Sequence, residues 1–562
     1  VASIPVAMPA VLSVTMALGA LALSRMKAIV SRLQSIEEMA GIDVLCSDKT
    51  GTLTQNKLTM GDLVTFDNTD PQELILVGSL ASKEENRDAI DQAVIEALKD
   101  REAIEAYSQE KFIPFDPVRK RTEATIKDGQ GKTFKVTKGA PQIIMELCHL
   151  EGDVEDKAQK AVDEFASKGY RTIGVARADN GDAWHFLGIL PLFDPPREDA
   201  ASTIAEAQKR GIEVKMITGD NVAIGREIAR KLGLGIKIQP ASELFPQEEK
   251  CELGDAAAQA IEKADGYAEV FPEHKFNIVK ALQNRGHLVA MTGDGVNDAP
   301  ALKQAEVGIA VSGATNAAQS AAALVLTEPG LSVIINAVEE ARCIFERMMS
   351  YTIYRIAMTI DIMVFVVAAM ITFNYFPLTA MMIIILALLD DIPIMTIAYD
   401  HTYQNPTPVR WEMHRVLTIS SVLGFLAMIQ SFGLLLIGKL VLFLDIPHLQ
   451  TMLFLQLVAG GHLMLFITRI KKSFWRKPHP SWPLFFAIVG TQAFAVAMTG
   501  FGWLVPRLPW ELIGLVWAYN IVWMIGMDIT KLGLYRLLEG RAKFKQRFMK
   551  TLNRPLHSHS AE

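Results

Sequence analysis

Two short segments of this chain place carboxylates where they could handle a phosphoryl group. In VLCSDKTGTLT, Asp48 ends a short apolar run and precedes a loop of small residues, and MTGDGVNDAP carries Asp294 and Asp298. A carboxylate at the carboxyl end of a parallel strand lies where open α/β sheets bind their ligands. There it can attack a phosphoryl group and form an acyl phosphate. Asp294 and Asp298 are spaced to hold Mg²⁺ beside Asp48.

Two further segments supply the partners of such a reaction. In MITGD, Thr218 and Gly219 offer donors to phosphoryl oxygens ahead of Asp220, and FPEHK carries Lys275, a cation that could neutralise charge in the transition state. Each signal alone is weak, because a strand-end aspartate is more often a helix cap or a turn former. Together, and in this order, the segments favour one catalytic site.

The elements that must position these residues alternate between strands and helices. From about Ser24 to Arg347, β-rich runs such as IDVLCS, VKMIT, LVAMT and VGIAV are separated by helical patterns. This rhythm predicts a doubly wound parallel sheet. An insertion from about Gly61 to Gly188 has strands and helices of its own, which predicts a second domain.

The rest of the chain is strongly apolar, and mean hydropathy over the chain is positive, at +0.21. The opening VASIPVAMPAVLSVTMALGALALSRMK is apolar from its first residue, without the basic start of a signal peptide. Six more candidate membrane spans lie at about 352–373, 378–398, 416–443, 448–468, 482–505 and 509–529. Seven membrane helices are therefore predicted. Basic residues concentrate in alternate loops and in the C-terminal tail, which predicts that the soluble domains and the C-terminus are cytoplasmic. The tail is short and basic, which points to a plasma-membrane enzyme.

Composition excludes some classes of function. The net charge is −6, and no basic run interleaved with aromatic residues suggests nucleic acid as a partner. The four cysteines are widely spaced and form no C-x-x-C pair, which fits a reducing compartment.

At these motifs the chain resembles the P-type ATPases, cation pumps built on a haloacid-dehalogenase-like phosphorylation domain. DKTGTLT, from Asp48 to Thr54, is similar to the family's phosphorylation signature, and TGDN, PEHK and TGDGVNDAPALK resemble its companion motifs in order. The resemblance covers essentially the whole chain. It implies that ATP phosphorylates Asp48, and that Mg²⁺ is bound by Asp48, the Thr50 carbonyl and Asp294, beside Asp298.

The resemblance also implies a nucleotide pocket in the insertion. It places Phe115 against adenine, Lys138 and Gly139 in the pocket, Arg171 near the phosphates, and Arg197 of DPPR at the return hinge, in reach of the nucleotide or phosphate. Taken alone, Phe115 would more often be a core aromatic residue and Lys138 a solvated lysine.

The expected fold is therefore a haloacid-dehalogenase-like doubly wound parallel sheet with an inserted α+β nucleotide domain and seven transmembrane helices. The expected divisions are a membrane helix (1–23), a phosphorylation domain in two parts (24–60 and 189–347), a nucleotide-binding domain (61–188), six membrane helices (348–530) and a cytoplasmic basic tail (531–562).

The residue type at Thr50 favours a pump over a phosphatase. Phosphatases on related scaffolds usually carry a second aspartate two residues after the nucleophile, which acts as general acid and base for rapid hydrolysis. Here that position is Thr50, so the acyl phosphate should persist. A membrane-anchored phosphohydrolase and a non-catalytic subunit with a vestigial head remain the competing classes.

Three aspartates lie within the predicted membrane helices, Asp361 in one and Asp390 with Asp391 in the next. A carboxylate at mid-bilayer costs about 2.5 to 3.5 kcal/mol on insertion scales, so these residues predict an ion site. Adjacent helical residues point about 100° apart, so Asp390 and Asp391 need not share a cavity, and Pro393 could open the helix beside them. Asp391 is the expected carrier, with Asp390 packing or hydrogen-bonding nearby.

Protons are the expected cargo. IPVAMP, with Pro5 and Pro9, and LLDDIPIMTI resemble the proton-pumping subclass, with Asp391 at its proton-carrying position. That subclass places an arginine counter-ion where this chain has Asp361. Arg355 lies six residues earlier, about 9 Å along the helix axis, and is expected to be a poor direct substitute. A metal cation bound by the three carboxylates stays open as the alternative.

The family's actuator domain carries a TGE loop that activates water against the aspartyl phosphate, and no TGE occurs in this chain. The sequence is therefore expected to belong to a longer protein with an actuator domain, three more spans at its N-terminal side and ten spans in all.

Overall fold

The computed structural model describes residues 7–55, 57–86, 88–116, 118–179, 181, 183–245 and 255–552. They form two compact units, each described here by itself. The α/β unit comprises Met26–Glu38 and Ile42–Ala337, and the helical unit comprises Val1–Arg25, Met39–Gly41 and Val338–Glu562.

The strands fall into two sheets, and all of them belong to the α/β unit. In chain order they are β1 (Ala28–Val30), β2 (Val44–Asp48), β3 (Thr59–Met60), β4 (Val64–Thr65), β5 (Tyr107–Ile113), β6 (Arg121–Asp128), β7 (Thr133–Gly139), β8 (Arg171–Ala178), β9 (His185–Phe193), β10 (Glu213–Ile217), β11 (Ile238–Pro240), β12 (Gly266–Ala268), β13 (Val289–Gly293), β14 (Val307–Ala310) and β15 (Leu324–Leu326).

The helices include the long apolar segments of the helical unit. In chain order they are α1 (Ala7–Arg25), α2 (Ser35–Ala40), α3 (Pro71–Leu80), α4 (Ala89–Glu96), α5 (Glu102–Glu105), α6 (Pro141–Leu147), α7 (Asp153–Ser167), α8 (Ala200–Lys209), α9 (Val222–Leu232), α10 (Ala241–Leu244), α11 (Asp255–Lys263), α12 (Pro272–Asn284), α13 (Ala299–Gln304), α14 (Asn316–Ala321), α15 (Leu331–Phe373), α16 (Ala380–Ile394), α17 (Met413–Leu436), α18 (Ile446–Thr468), α19 (Trp482–Phe501) and α20 (Trp510–Leu552).

The larger sheet has eight strands in the order β1-β15-β14-β13-β2-β10-β12-β11. Its strands pair in parallel, as predicted, except that the edge strand β1 runs antiparallel to β15. The chain moves outward from β2 through β10 and then crosses to β13 on the other side. The site sits beside this reversal, which is where open α/β sheets bind ligands.

The position of β2 follows from its composition. Val44, Leu45 and Cys46 are each at most 1% exposed, and β2 lies between β13 and β10. A continuous apolar run is typical of a parallel strand that is covered by helices on both faces. This burial fixes Asp48, at the end of the run, at the carboxyl edge of the sheet.

The smaller sheet is antiparallel, in the order β3-β9-β8-β7-β6-β5, and β4 also pairs with β9. One face packs on α3 and α4 through residues such as Leu74 and Val94, and the other packs on α6 and α7 through Ile144 and Val162. The sheet starts at Thr59 and ends at Phe193, so β3 and the end of β9 lie outside the expected range 61–188.

Seven helices in the described residues are long and apolar enough to cross a membrane, which agrees with the prediction. They are Met8–Arg25, Leu331–Phe373, Ala380–Tyr399, Met413–Val441, Ile446–Thr468, Trp482–Phe501 and Trp510–Gly540. The α18 segment is central, because 83% of its apolar window is buried inside the protein. The last helix, α20, continues to Leu552, well into the range expected to be a tail.

Buried charged residues hold the ends of these helices. Nζ of Lys531 on α20 donates to the carbonyl of Ile467, an acceptor in the last turn of α18. It also donates to the carbonyls of Ile470 and Lys472 in the segment that follows α18. Arg469 pairs with Asp400 at 3.0 Å, and both side chains are 1% exposed.

Candidate active site

Parallel pairing places the predicted motifs side by side. In the sheet register, Asp48 on β2 stands opposite Ile217 on β10, so Thr218 follows at the same edge. Gly293 ends the neighbouring strand β13, and Asp294 comes directly after it. The backbone N–H of Asp48 donates to Oγ1 of Thr292 at 2.8 Å, which ties the two strands together.

The loop after Asp48 makes a single tight turn. Thr50 has an extended backbone (φ −72°, ψ 130°), whereas Gly51 has φ +72°, in the left-handed region that favours glycine. Thr54 closes the turn, because its N–H donates to the carbonyl of Lys49 at 3.1 Å. The turn keeps Thr50 close to Asp48.

Lys275 links two carboxylates of the site. Its Nζ lies 2.6 Å from Oδ2 of Asp48 and 2.7 Å from Oδ1 of Asp298. The three side chains are between 5% and 14% exposed. Lys275 reaches this position from the first turn of α12, which Pro272 begins.

Both carboxylate oxygens of Asp298 accept hydrogen bonds. Oδ1 contacts Lys275, and Oδ2 accepts from the backbone N–H groups of Asp294 (3.1 Å) and Gly295 (3.0 Å). A Cβ at Gly293 would lie 2.5 Å from Cβ of Asp298, so glycine is required there. Asp298 is thus oriented by the loop and is less available as a metal ligand than Asp48 or Asp294.

The cluster fits a hard divalent cation. Asp48, Asp294 and Asp298 each offer a carboxylate oxygen, and these oxygens lie within 4.8 Å of one another. Three carboxylates face the one ammonium of Lys275, so the group has an excess of negative charge if all are ionised. Carboxylate oxygens in excess are the donors that Mg²⁺ prefers.

Burial and mutual contact shift the ionisation of the cluster. Burial raises the pKa of Asp48, with the Lys275 ammonium opposing the shift. Burial likewise raises the pKa of Asp294, and the Asp298 carboxylate adds to the effect. Burial alone would lower the pKa of Lys275, but Asp48 and Asp298 together raise it above its ordinary value, so the ammonium persists at neutral pH.

Asp220 takes part in a second ion pair at the same edge. Nζ of Lys49 lies 2.7 Å from its Oδ2, and the Asp220 N–H donates to Oγ1 of Thr218 at 3.1 Å. Thr218 itself is buried, whereas Gly219 beside it is exposed. Lys49 lies in the same signature as Asp48, yet sequence reasoning assigned it no role.

Hydrogen bonds at the hinge join the segment that enters the inserted domain to the segment that returns from it. Oγ1 of Thr54 donates to Oδ2 of Asp194 at 2.5 Å, and the N–H of Arg197 donates to the carbonyl of Leu53 at 3.1 Å. The Arg197 side chain is turned toward Asp199, at 3.5 Å. Arg171 lines a cleft of about 50 Å³ together with Lys49, Asp194 and Asp220, among others.

The residues expected to bind nucleotide differ in their surroundings. Phe115 is 61% exposed and is therefore not a core residue. Lys138 is not solvated, because it is buried at 3% exposure and its Nζ contacts Asp91 and Ser82. Burial lowers the pKa of Lys138, and the Asp91 carboxylate opposes the shift. A Cβ at Gly139 would lie 2.4 Å from the carbonyl oxygen of Lys120, which accounts for that glycine by close packing.

In the helical unit, the expectation for Arg355 is wrong. Its Nη1 lies 3.0 Å from Oδ1 of Asp391, and the two side chains are 15% and 29% exposed. The expectation compared Arg355 with Asp361 along one helix. The relevant distance runs between α15 and α16, and a long arginine side chain spans it.

The other two membrane aspartates have closest polar contacts that differ from this ion pair. Oδ1 of Asp361 accepts from the Ser431 hydroxyl at 3.0 Å, and Asp361 is 3% exposed. Oδ1 of Asp390 has no hydrogen-bond partner among the described residues, and its nearest ionisable neighbour in an ion-pair contact is His462, at 3.7 Å. Sequence reasoning missed His462, although the GGH segment within an apolar span was a visible signal.

Of the two prolines predicted for the first span, the structure describes only Pro9. Pro9 lies in the first turn of α1, where a helix tolerates proline without losing an internal hydrogen bond. Pro5 lies outside the described residues. Pro393 lies inside α16, which ends at Ile394 and continues as a 3₁₀ turn over Met395–Tyr399.

Comparison with known proteins identifies the family of this chain. Residues 42–306 match the family model described as haloacid dehalogenase-like hydrolase. A protein of Methanocaldococcus jannaschii that has been assigned the name cation-transporting ATPase is 48% identical over 543 residues, which cover 96% of this chain and 67% of that protein. The chain has a hydrolase domain, a carboxylate cluster where the strand order of the larger sheet reverses, and seven candidate membrane helices. It belongs to the P-type cation-transporting ATPases.

Proposed function

We propose that this ATPase exports protons through an aspartyl-phosphate intermediate formed on Asp48. The contact that supports the proposal best is the one between Nζ of Lys275 and Oδ2 of Asp48, at 2.6 Å. Oδ2 is held by Lys275, which leaves Oδ1 as the oxygen for attack. A carboxylate held in this way at the edge of a sheet is suited to in-line attack on a phosphoryl group.

In the proposed step, Oδ1 of Asp48 forms a bond to the γ-phosphorus of ATP. The bond from that phosphorus to the β,γ-bridging oxygen breaks, and ADP leaves with the electron pair. Lys275 stabilises the charge that develops on the phosphoryl oxygens, and Thr218 and Gly219 donate to them. Asp298 orients Lys275, with which it shares a 2.7 Å contact.

Mg²⁺ would be held by Asp48, the Thr50 carbonyl and Asp294, with Asp298 beside them. The ion would offset the negative charge shared by the nucleotide and these carboxylates. The smaller sheet would bind the nucleotide: Phe115 is exposed for stacking, and Arg171 lies in the cleft that also contains Asp220. The family resemblance adds Gly139 and Arg197 to this pocket.

The first experiment is phosphorylation of the full-length gene product by ATP labelled on its γ-phosphate. We expect an acid-stable, hydroxylamine-sensitive label that Asp48→Asn abolishes. Asp62→Asn is a matched control from the same unit, outside the carboxylate cluster. A label that survives in Asp48→Asn would contradict the assignment, and rapid release of phosphate without a lasting label would favour a phosphohydrolase.

Two observations favour protons over a metal cation. Arg355 pairs with Asp391 and can act as the counter-ion that the proton-pumping subclass requires. Among the described residues, the only group of three or more carboxylate, histidine or cysteine ligand atoms that converges is the Asp48 cluster. Asp361, Asp390 and Asp391 therefore do not form a ready metal cage, whereas a single carboxylate suffices for a proton. Asp391 is the proposed carrier, next to the break in α16, and Pro9 of the first span would line its path.

The proposed location is the plasma membrane, with the α/β unit and the C-terminus in the cytoplasm, because basic residues concentrate in loops on that side. The decisive experiment is ATP-driven acidification of ion-tight liposomes in buffer free of sodium, potassium and calcium. Acidification that is lost in Asp48→Asn and in Asp391→Asn supports the proposal. No acidification, with ATPase activity restored by one metal cation, would overturn it.

A further inference from the structure

The break in α16 leaves one backbone carbonyl without its usual partner. Pro393 has no N–H, so the carbonyl of Leu389, four residues earlier, cannot accept the hydrogen bond that a regular helix would supply. An unpaired carbonyl in an apolar interior is costly. Nε2 of His462, on α18, lies 3.2 Å from this carbonyl oxygen.

The neighbours of His462 determine which ring nitrogen carries the proton. Nε2 of Gln492 donates to the carbonyl of Val458 at 3.0 Å and also contacts Nδ1 of His462 at 2.5 Å. An amide nitrogen can only donate, so Nδ1 accepts. The neutral imidazole therefore carries its proton on Nε2, directed at Leu389.

The same turn of α18 lies against the carboxyl group of Asp390. A Cβ at Gly461 would lie at van der Waals distance, 3.4 Å, from Oδ1 of Asp390, and 3.0 Å from Cε of Met358. Nε2 of His462 is 3.7 Å from the same oxygen, and the side chains of His462 and Asp390 are 1% and 4% exposed. The Gly461–His462 pair thus contacts both the freed carbonyl and the residue after it.

We propose that His462 is a positioning residue for the transported ion. By binding the Leu389 carbonyl, it fixes the broken end of α16, and with it the directions of Asp390 and Asp391. The inference rests on the proposed function, because it concerns the site where the ion is proposed to bind. The charged and titratable groups that face Asp390 are Tyr354, Arg355 and Asp361 of α15, Asp391 of α16 and His462 of α18.

The test compares His462→Leu with His462→Gln in the full-length protein in liposomes. Leucine removes the donor, whereas the glutamine side-chain amide can donate to Leu389 in place of Nε2. We expect His462→Leu to raise the proton concentration for half-maximal ATP-driven acidification on the order of tenfold, as for loss of a group that orients a ligand. The fold-change in the maximal rate should be smaller than the fold-change in the proton concentration for half-maximal acidification. His462→Gln should return that concentration most of the way to the wild-type value.

His448→Leu is the matched control, because this histidine lies on the same helix and is exposed beside Asp445. An unchanged proton dependence in a folded His462→Leu protein that still forms the phosphoenzyme would overturn the proposal. If the wild type pumps a metal cation, the same variants are compared by the metal concentration for half-maximal ATPase activity, so the two proposals can fail separately.

Discussion

Nη1 of Arg355 lies 3.0 Å from Oδ1 of Asp391, and this ion pair joins α15 to α16 next to the Pro393 break. Both side chains are mostly buried. Truncating one partner would leave the other charge without compensation in a medium of low dielectric constant, which is costly. The pair therefore couples Arg355 and Asp391 electrostatically.

Arg355→Gln should reduce ATP-driven acidification about tenfold or more, and Asp391→Asn should do the same. Residues that act as a unit are not additive, so the double variant should be no worse than the worse single variant. Acidification of liposomes measures all three, and Arg355→Lys tests whether charge alone suffices. Losses that multiply in the double variant would show that the two residues act independently.

Lys275→Met should slow phosphorylation of Asp48 about 10²- to 10³-fold, comparable to removal of one preorganised donor to a transition state. Lys280→Met is the control, because Lys280 lies on the same helix and is exposed. The measurement is the single-turnover rate of phosphoenzyme formation at saturating ATP. A rate within twofold of the wild type, on the order of experimental error, would remove Lys275 from the mechanism.

Thr50→Asp should shorten the lifetime of the phosphoenzyme, because a carboxylate at this position can activate water. General base catalysis contributes about 10²- to 10⁴-fold, so a reduction of at least tenfold is expected. Thr50→Asn has a similar shape without the base and serves as the control. The measurement is the decay of label after a chase with unlabelled ATP, and equal lifetimes in the two variants would count against the role of Thr50.

Lys138→Met should destabilise the smaller sheet by about 3 to 5 kcal/mol, because it strands Asp91 as a buried, unpaired carboxylate. The double variant Lys138→Met with Asp91→Leu should recover most of the loss. Amide hydrogen exchange of β6 and β7 reports the stability, and the KM for ATP is measured in parallel. If Lys138 binds nucleotide directly, its loss should raise that KM, and the double variant should not restore it.

His287 should make the turn before β13 more stable at low pH. The contact with Asp43, at 3.4 Å, is the main cause that raises the pKa of His287 above its unfolded value of about 6.5. A raised pKa stabilises the fold fully below pH 6.5, and this contribution is lost as pH rises through the folded pKa. Exchange of the β13 amides, corrected for intrinsic rates, should slow on acidification in the wild type. A His287→Gln protein that shows the same pH dependence would rule out this histidine as the cause.

The confirmed fold shows which structural features the local sequence pattern could predict. The apolar run before Asp48 and the small residues after it predicted a strand end, and the parallel arrangement then required Thr218 and Asp294 to lie at the same edge. The antiparallel edge strand β1 was not predictable, since three residues carry too little pattern to specify direction.

The sequence by itself determined which motifs belong to the sheet edge and which segments are apolar enough for a membrane, because strand ends and hydropathy are local properties. Only the tertiary structure decided that Arg355 reaches Asp391, that Lys138 is buried against Asp91, and that His462 binds the carbonyl freed by Pro393. Each of these contacts joins different secondary-structure elements. It depends on the rotation of each element and on the length of each side chain, and no spacing along the chain encodes those quantities.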